Sequence, residues 1–199
     1  MIARLGTSVT GGHQITMNLA ALTFQVPFAL GVATGTLTAQ AIGAEDLRRA
    51  RVTGWTGIGI GAVVALMIAL AFWALRDAIV GVYTSDPGVA GVALSLVGYL
   101  IAFHVFDAVQ GVAGFVLRAY KIAILPTVVY AVALWGFGLT GGYVVAFHPV
   151  LGRPRGAAGM WLMQAVALAL TAVLLVGLHV WVLERRRAFV QEPAAVPVS

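Results

Sequence analysis

Four stretches of this chain contain no Asp, Glu, Lys or Arg: between Arg4 and Glu45, Arg51 and Arg76, Lys121 and Arg153, and Arg155 and Glu184. A fifth, from Asp86 to Arg118, is interrupted once, by Asp107. About 20 predominantly apolar residues are enough for a helix to cross a bilayer. Within the hydrocarbon every backbone polar group must be satisfied by the chain itself, so segments of this kind form spanning helices. The expectation is an all-α membrane protein with a bundle of about five transmembrane helices. The spans fall near 13–41, 53–75, 88–117, 123–147 and 157–183.

Composition agrees with that class. The 199 residues are 61% hydrophobic and 10% charged, with a mean hydropathy of +0.98. Soluble domains carry about a quarter charged residues. The net charge of +5 would suit nucleic acid, but in a membrane chain it reports Lys and Arg gathered in loops. No nucleic-acid partner is expected; the bilayer itself is. The absence of cysteine excludes disulfides and thiolate metal sites.

The joints carry turn or polar signals: "GAEDLRRAR" at 43–51, "YTSDPG" at 83–88, "RAYK" at 118–121 and "HPVLGRPRG" at 148–156. Joints this short make neighbouring helices antiparallel. Eight basic residues (Arg48, Arg49, Arg51, Arg118, Lys121, Arg185, Arg186 and Arg187) then share one side, and four (Arg4, Arg76, Arg153 and Arg155) the other. The positive-inside rule places the C-terminus in the cytoplasm of a multi-pass inner (plasma) membrane protein. Residues 1–187 read as one membrane bundle and 188–199 as a disordered cytoplasmic tail. An odd number of spans starting outside, with no leader, suggests part of something larger.

Pro27, in the middle of the first span, should kink it. Glycines four apart (Gly31/Gly35, Gly57/Gly61, Gly138/Gly142) allow close backbone approach and speak for packing rather than chemistry.

Asp107 is the residue that asks for a reason. At 100° per residue, Phe103, His104, Gln110, Gly111 and Gly114 fall within about 60° of it. Val105, Val109, Val112 and Val116 fall on the opposite side, where they would suit lipid. An aspartate at the bilayer centre costs about 2.5–3.5 kcal/mol on insertion scales. Either it is a satisfied interior polar group, paired for instance with His104, or it binds or relays a cation. A buried carboxyl group that alternates between neutral and charged forms can exchange H+ for Na+. His104, Gln110 and Phe103 are the candidate cavity-lining neighbours. Gln14 and Asn18, on a common face of the first span with Gln25, are candidates for the same cavity. No metal site is expected beyond Na+ at Asp107. His148 and His179, near span ends, read as interfacial, and Trp55, Trp73, Trp161 and Trp181 as interface anchors. No Gly-x-Ser-x-Gly, His-Glu-x-x-His or phosphate loop is present, so no enzyme activity is expected.

"GGHQITMN", "YTSD" and above all "DAVQGVAGFVLRAYK" resemble the C-terminal half of multidrug and toxic compound extrusion (MATE) transporters, in particular their NorM-like branch. The resemblance extends to about Arg187. It implies that the five spans correspond to helices 8–12 of a twelve-helix fold. It further implies part of a secondary active multidrug efflux transporter, exchanging organic cations for Na+ or H+ without a cofactor. The aspartate of the motif, Asp107 here, is then the coupling-cation residue, and a missing N-terminal bundle or another membrane chain is the partner. The chain departs from the family's usual pattern at Phe103, where a tyrosine is frequent, at Ala119 after Leu117-Arg118, and at Ile122. Two rivals are weighed beside this reading: a non-transporting membrane interaction or scaffold fragment, and a lipid-linked oligosaccharide flippase of the same superfamily.

Overall fold

The computed structural model describes residues 2–150 and 152–191, with side chains as far as Arg185. A short 3-10 turn, Ile2–Leu5, precedes α1 (Thr7–Gly43), α2 (Leu47–Tyr83) and α3 (Pro87–Ala119). The fourth span is α4 (Ile124–Ala131), a π-helix (Val132–Gly141) and α5 (Gly142–Phe147), and α6 (Gly156–Gln191) is the fifth. Five helices are long and apolar enough to cross a membrane, and no strand occurs among the described residues.

α2 and α3 each begin beyond their apolar segments, at a capping aspartate. Asp46 accepts a hydrogen bond from the Arg49 N–H at 2.8 Å. Asp86 Oδ1 accepts from Gly88 N and Val89 N at 2.7 and 2.9 Å, with Pro87 in the first position of α3. Capping satisfies N–H groups that the helix itself cannot, so charged residues are drawn into regular structure. α6 likewise continues to Gln191, which makes 188–191 of the expected disordered tail helical. Residues 192–199 of that tail lie outside the described residues. α1 runs unbroken through Pro27.

α3 is the central helix, packed against α1, α2 and α6. Its valines are therefore not a lipid face. Val112 and Val116 are wholly buried, seated against Gly61 and Gly54 of α2, where an added Cβ would lie 3.0 Å from each valine. Gly31 and Gly35 receive Phe115, and Gly142 meets the backbone of Met160, so the glycine pairs serve close approach as expected.

The apolar core divides into two clusters. One gathers Ile15, Leu19, Val80, Leu96, Leu100 and Trp161; the other gathers Ile58, Val112, Val116, Leu117, Leu175 and Val182. Asp107 lies along α3 between the last residue of the first cluster and the first of the second.

The ten-residue π-helix was not expected. Its wider turn shows in Thr140, whose hydroxyl donates to the Trp135 carbonyl five residues back at 3.1 Å. Such segments are rare and occur mostly as single turns at functional sites. Here glycine permits it: at Gly138 a Cβ would stand 2.6 Å from Gln164 Oε1 of α6.

Candidate cation site in the third span

Asp107 sits half-buried on α3, and one turn later Gln110 turns its amide back to it. Gln110 Nε2 donates to Asp107 Oδ1 at 2.9 Å. The spacing of three residues brings the two side chains together on one helix face. The amide is neutral, so it orients the carboxylate and leaves its charge uncompensated. Among the described residues the single ion pair is Arg76–Asp77, so no cationic side chain neutralises Asp107.

Gln110 also faces a cleft of about 240 Å³ between α1, α3, α4 and α6. Gly111 and Gly114 leave the space on α3, and Phe24 and Phe28 of α1 form an aromatic wall. Phe28 meets Phe115 edge-on at 5.6 Å. Thr127 and Tyr130 bring hydroxyl groups from α4. Arg118, its guanidinium 5.0 Å over the Phe115 ring, closes one end. Carboxylate, amide and phenol oxygens are the ligands a hard cation prefers. No group of three or more His, Cys, Asp or Glu gathers among the described residues.

The other expected site residues are placed differently. His104 is buried, 3% exposed, and its Nε2 has no hydrogen-bond partner among the described residues; it does not pair with Asp107. Phe103 packs edge-on against Trp161 at 5.4 Å. Gln14 and Asn18 are exposed and do not line the cleft; Asn18 Oδ1 accepts from the Tyr83 hydroxyl at 3.1 Å, tying α1 to α2. Gln25 is spent on its own helix, donating to the Ala21 carbonyl at 3.4 Å. A common face of α1 thus does not imply a common cavity, because that face looks away from α3.

Two interfacial expectations are corrected. Trp161 is buried and donates through Nε1 to His13 Nδ1 at 3.2 Å. His179 is fully buried between Trp55 and Tyr120, ring centroids 5.1 and 5.8 Å away, and neither nitrogen has a hydrogen-bond partner among the described residues. His148, by contrast, is exposed, and Arg76 and Arg185 lie over the exposed rings of Trp73 and Trp181 as interface residues do. Tyr130, Thr127, Phe24 and Phe28 were not foreseen around the cleft that Gln110 faces. They come from other spans, and nothing in their local sequence reports that proximity.

A family model described as MatE matches residues 1–144. The chain is 40% identical over 173 residues to the "Probable multidrug resistance protein NorM" of Aromatoleum aromaticum, covering 86% of this chain and 37% of that protein. It is 32% identical over 195 residues to the "Multidrug resistance protein MdtK" of Pectobacterium atrosepticum, covering 98% of this chain and 41% of the relative. Among solved structures, the "Crystal structure of eukaryotic MATE transporter AtDTX14" is similar in fold, with a TM-score of 0.79 at 23% identity. That match covers 85% of this chain and 37% of the other. The chain therefore spans about two fifths of the length of these curated relatives.

Proposed function

The chain belongs to the MatE family, and on that premise we propose that it supplies part of a secondary active efflux transporter exchanging organic cations for Na+ or H+, with Asp107 as the coupling-cation residue. The observation that carries this is the Asp107–Gln110 pair beside an aromatic-walled cleft, with no cationic side chain among the described residues on the carboxylate. A carboxylate held in an apolar bundle without a counter-charge favours whatever positive species reaches it. Gln110 fixes one Asp107 oxygen, while its own Oε1 and the Tyr130 hydroxyl remain as neutral ligands for Na+ or hydrogen-bond acceptors for the carboxyl once it is protonated. The phenylalanines suit an organic cation, which an aromatic face attracts. Bound coupling cation and bound organic cation would compete for the same negative charge, and that competition is what exchange requires.

Alternating access works by two bundles rocking about a midplane site. The reading therefore includes a partner, the bundle that the longer relatives carry beyond the region matched here. It also places the C-terminus in the cytoplasm, from the distribution of Lys and Arg.

The test is Asp107→Asn in a full-length context supplying the remaining helices. Asn keeps the size and a hydrogen-bond acceptor for Gln110 but cannot cycle between charged and neutral forms. Gradient-driven efflux of a fluorescent organic cation from vesicles should be lost, at unchanged protein level and thermal stability. Efflux at the wild-type rate would overturn the role of Asp107.

A further inference from the structure

At the end of the bundle where α6 begins, Tyr99 of α3, Arg153 and Arg155 of the connecting loop, and Ala158 of α6 enclose a cleft of about 470 Å³. Both guanidiniums are exposed, and neither has an ion-pair or hydrogen-bond partner among the described residues. The acids at this end are already engaged: Asp77 with Arg76 at 3.7 Å, and Asp86 with the first N–H groups of α3. α6 starts without an acidic residue in its first turn, so its own dipole adds to the positive potential. The loop is built to hold its shape. Pro154 fixes the backbone between the arginines, and the Arg155 N–H donates to the Val145 carbonyl at 3.1 Å, anchoring the loop to α5.

The depth of the cleft is marked by its neighbours. Trp73 lies 3.9 Å from where a Cβ on Gly98 would stand, and Arg76 covers that indole at 4.6 Å. Tryptophan with a snorkelling arginine marks the water–hydrocarbon boundary. Tyr99, the next residue after Gly98, is therefore at the level of lipid headgroups. Two guanidinium forks match the oxygens of a phosphate, and the Tyr99 phenol is a further donor.

We propose that Tyr99, Arg153 and Arg155 form a phosphate-group site at the membrane surface, occupied by the phosphodiester of an anionic lipid. No carboxylate lines the cleft to receive the ammonium of a zwitterionic headgroup, so the site should prefer phosphatidylglycerol to phosphatidylcholine.

The experiment uses the full chain purified in detergent, titrated with either lipid and, in a separate arm, with inorganic phosphate, and read by native mass spectrometry. The wild type should retain phosphatidylglycerol in preference to phosphatidylcholine. The double variant Arg153→Gln/Arg155→Gln should lose about fivefold in phosphatidylglycerol affinity per arginine, with no change in its unfolding temperature measured without lipid. Arg153→Lys/Arg155→Lys, which keeps charge but not the forks, should fall between. Equal retention of the two lipids by the wild type overturns the proposal whatever the variants do. So does a folded double variant with wild-type affinity. Displacement of phosphatidylglycerol by inorganic phosphate at equal concentration would overturn the lipid as the occupant.

Discussion

Gln110 donates its amide to Asp107 across 2.9 Å, and no guanidinium or ammonium among the described residues shares that carboxylate. A hydrogen bond to a charged group contributes about 1.5–3 kcal/mol. Gln110→Leu keeps similar volume but removes the amide oxygen offered to the cation together with the donor that orients the carboxylate, so it should weaken cation binding by about tenfold or more at that magnitude. Isothermal titration of the purified chain with an organic cation checks this. Undiminished affinity would mean that the amide plays no part in holding the carboxylate.

Helix approach offers a second test with its own control. At Gly12 of α1 an added Cβ would stand 2.9 Å from the Ala93 backbone nitrogen, whereas at Gly91 of α3 it would meet nothing within 4 Å. Gly12→Ala should therefore destabilise by about 1–3 kcal/mol, the usual range for overpacking. Gly91→Ala should be neutral or stabilise by up to about 1 kcal/mol through helix propensity. Thermal unfolding in detergent distinguishes the two; equal effects would show that α1 and α3 do not approach as described.

His179 is buried with two nitrogens that find no hydrogen-bond partner among the described residues. An unsatisfied buried polar group costs about 1–3 kcal/mol. His179→Phe keeps a ring between Trp55 and Tyr120 and removes both nitrogens. The unfolding temperature should rise; a fall would show that the imidazole is engaged in an interaction the phenyl ring lacks.

These residues also show how far the sequence could be read. The spans and Asp107's facing toward Gln110 follow from charge-free length and a period of 3.6, which local spacing records. The valine side of α3 carries the same apolar signal whether lipid or protein covers it. Val112 and Val116 were therefore read as lipid-facing, although α2 and α6 bury them. Depth is equally silent: His179 lies near the end of its span in sequence, yet three elements enclose it. The π-helix at 132–141 is a change of hydrogen-bond register, not of composition, and it shows in the bond from Thr140 to the Trp135 carbonyl five residues back.

Orientation can be measured cleanly because the chain has no native cysteine. A single cysteine replacing the exposed His148 should react with a membrane-impermeant maleimide added to intact cells, and one replacing Arg185 should react only after permeabilisation. The opposite pattern would invert the topology inferred from the basic residues.

If the Asp107 carboxyl takes up the coupling cation, infrared difference spectroscopy of the purified chain reads that group directly. Acidification of the wild type should produce the carbonyl stretch of a protonated carboxylic acid, and an organic cation or Na+ added at constant pH should suppress it. Asp107→Asn should lack the ligand-sensitive part of this band, keeping only the ligand-insensitive background of the other six Asp and Glu side chains, while retaining the amide bands of a folded helical bundle. A ligand-insensitive spectrum in the wild type, or the same ligand-sensitive band in the Asn variant, would contradict the account.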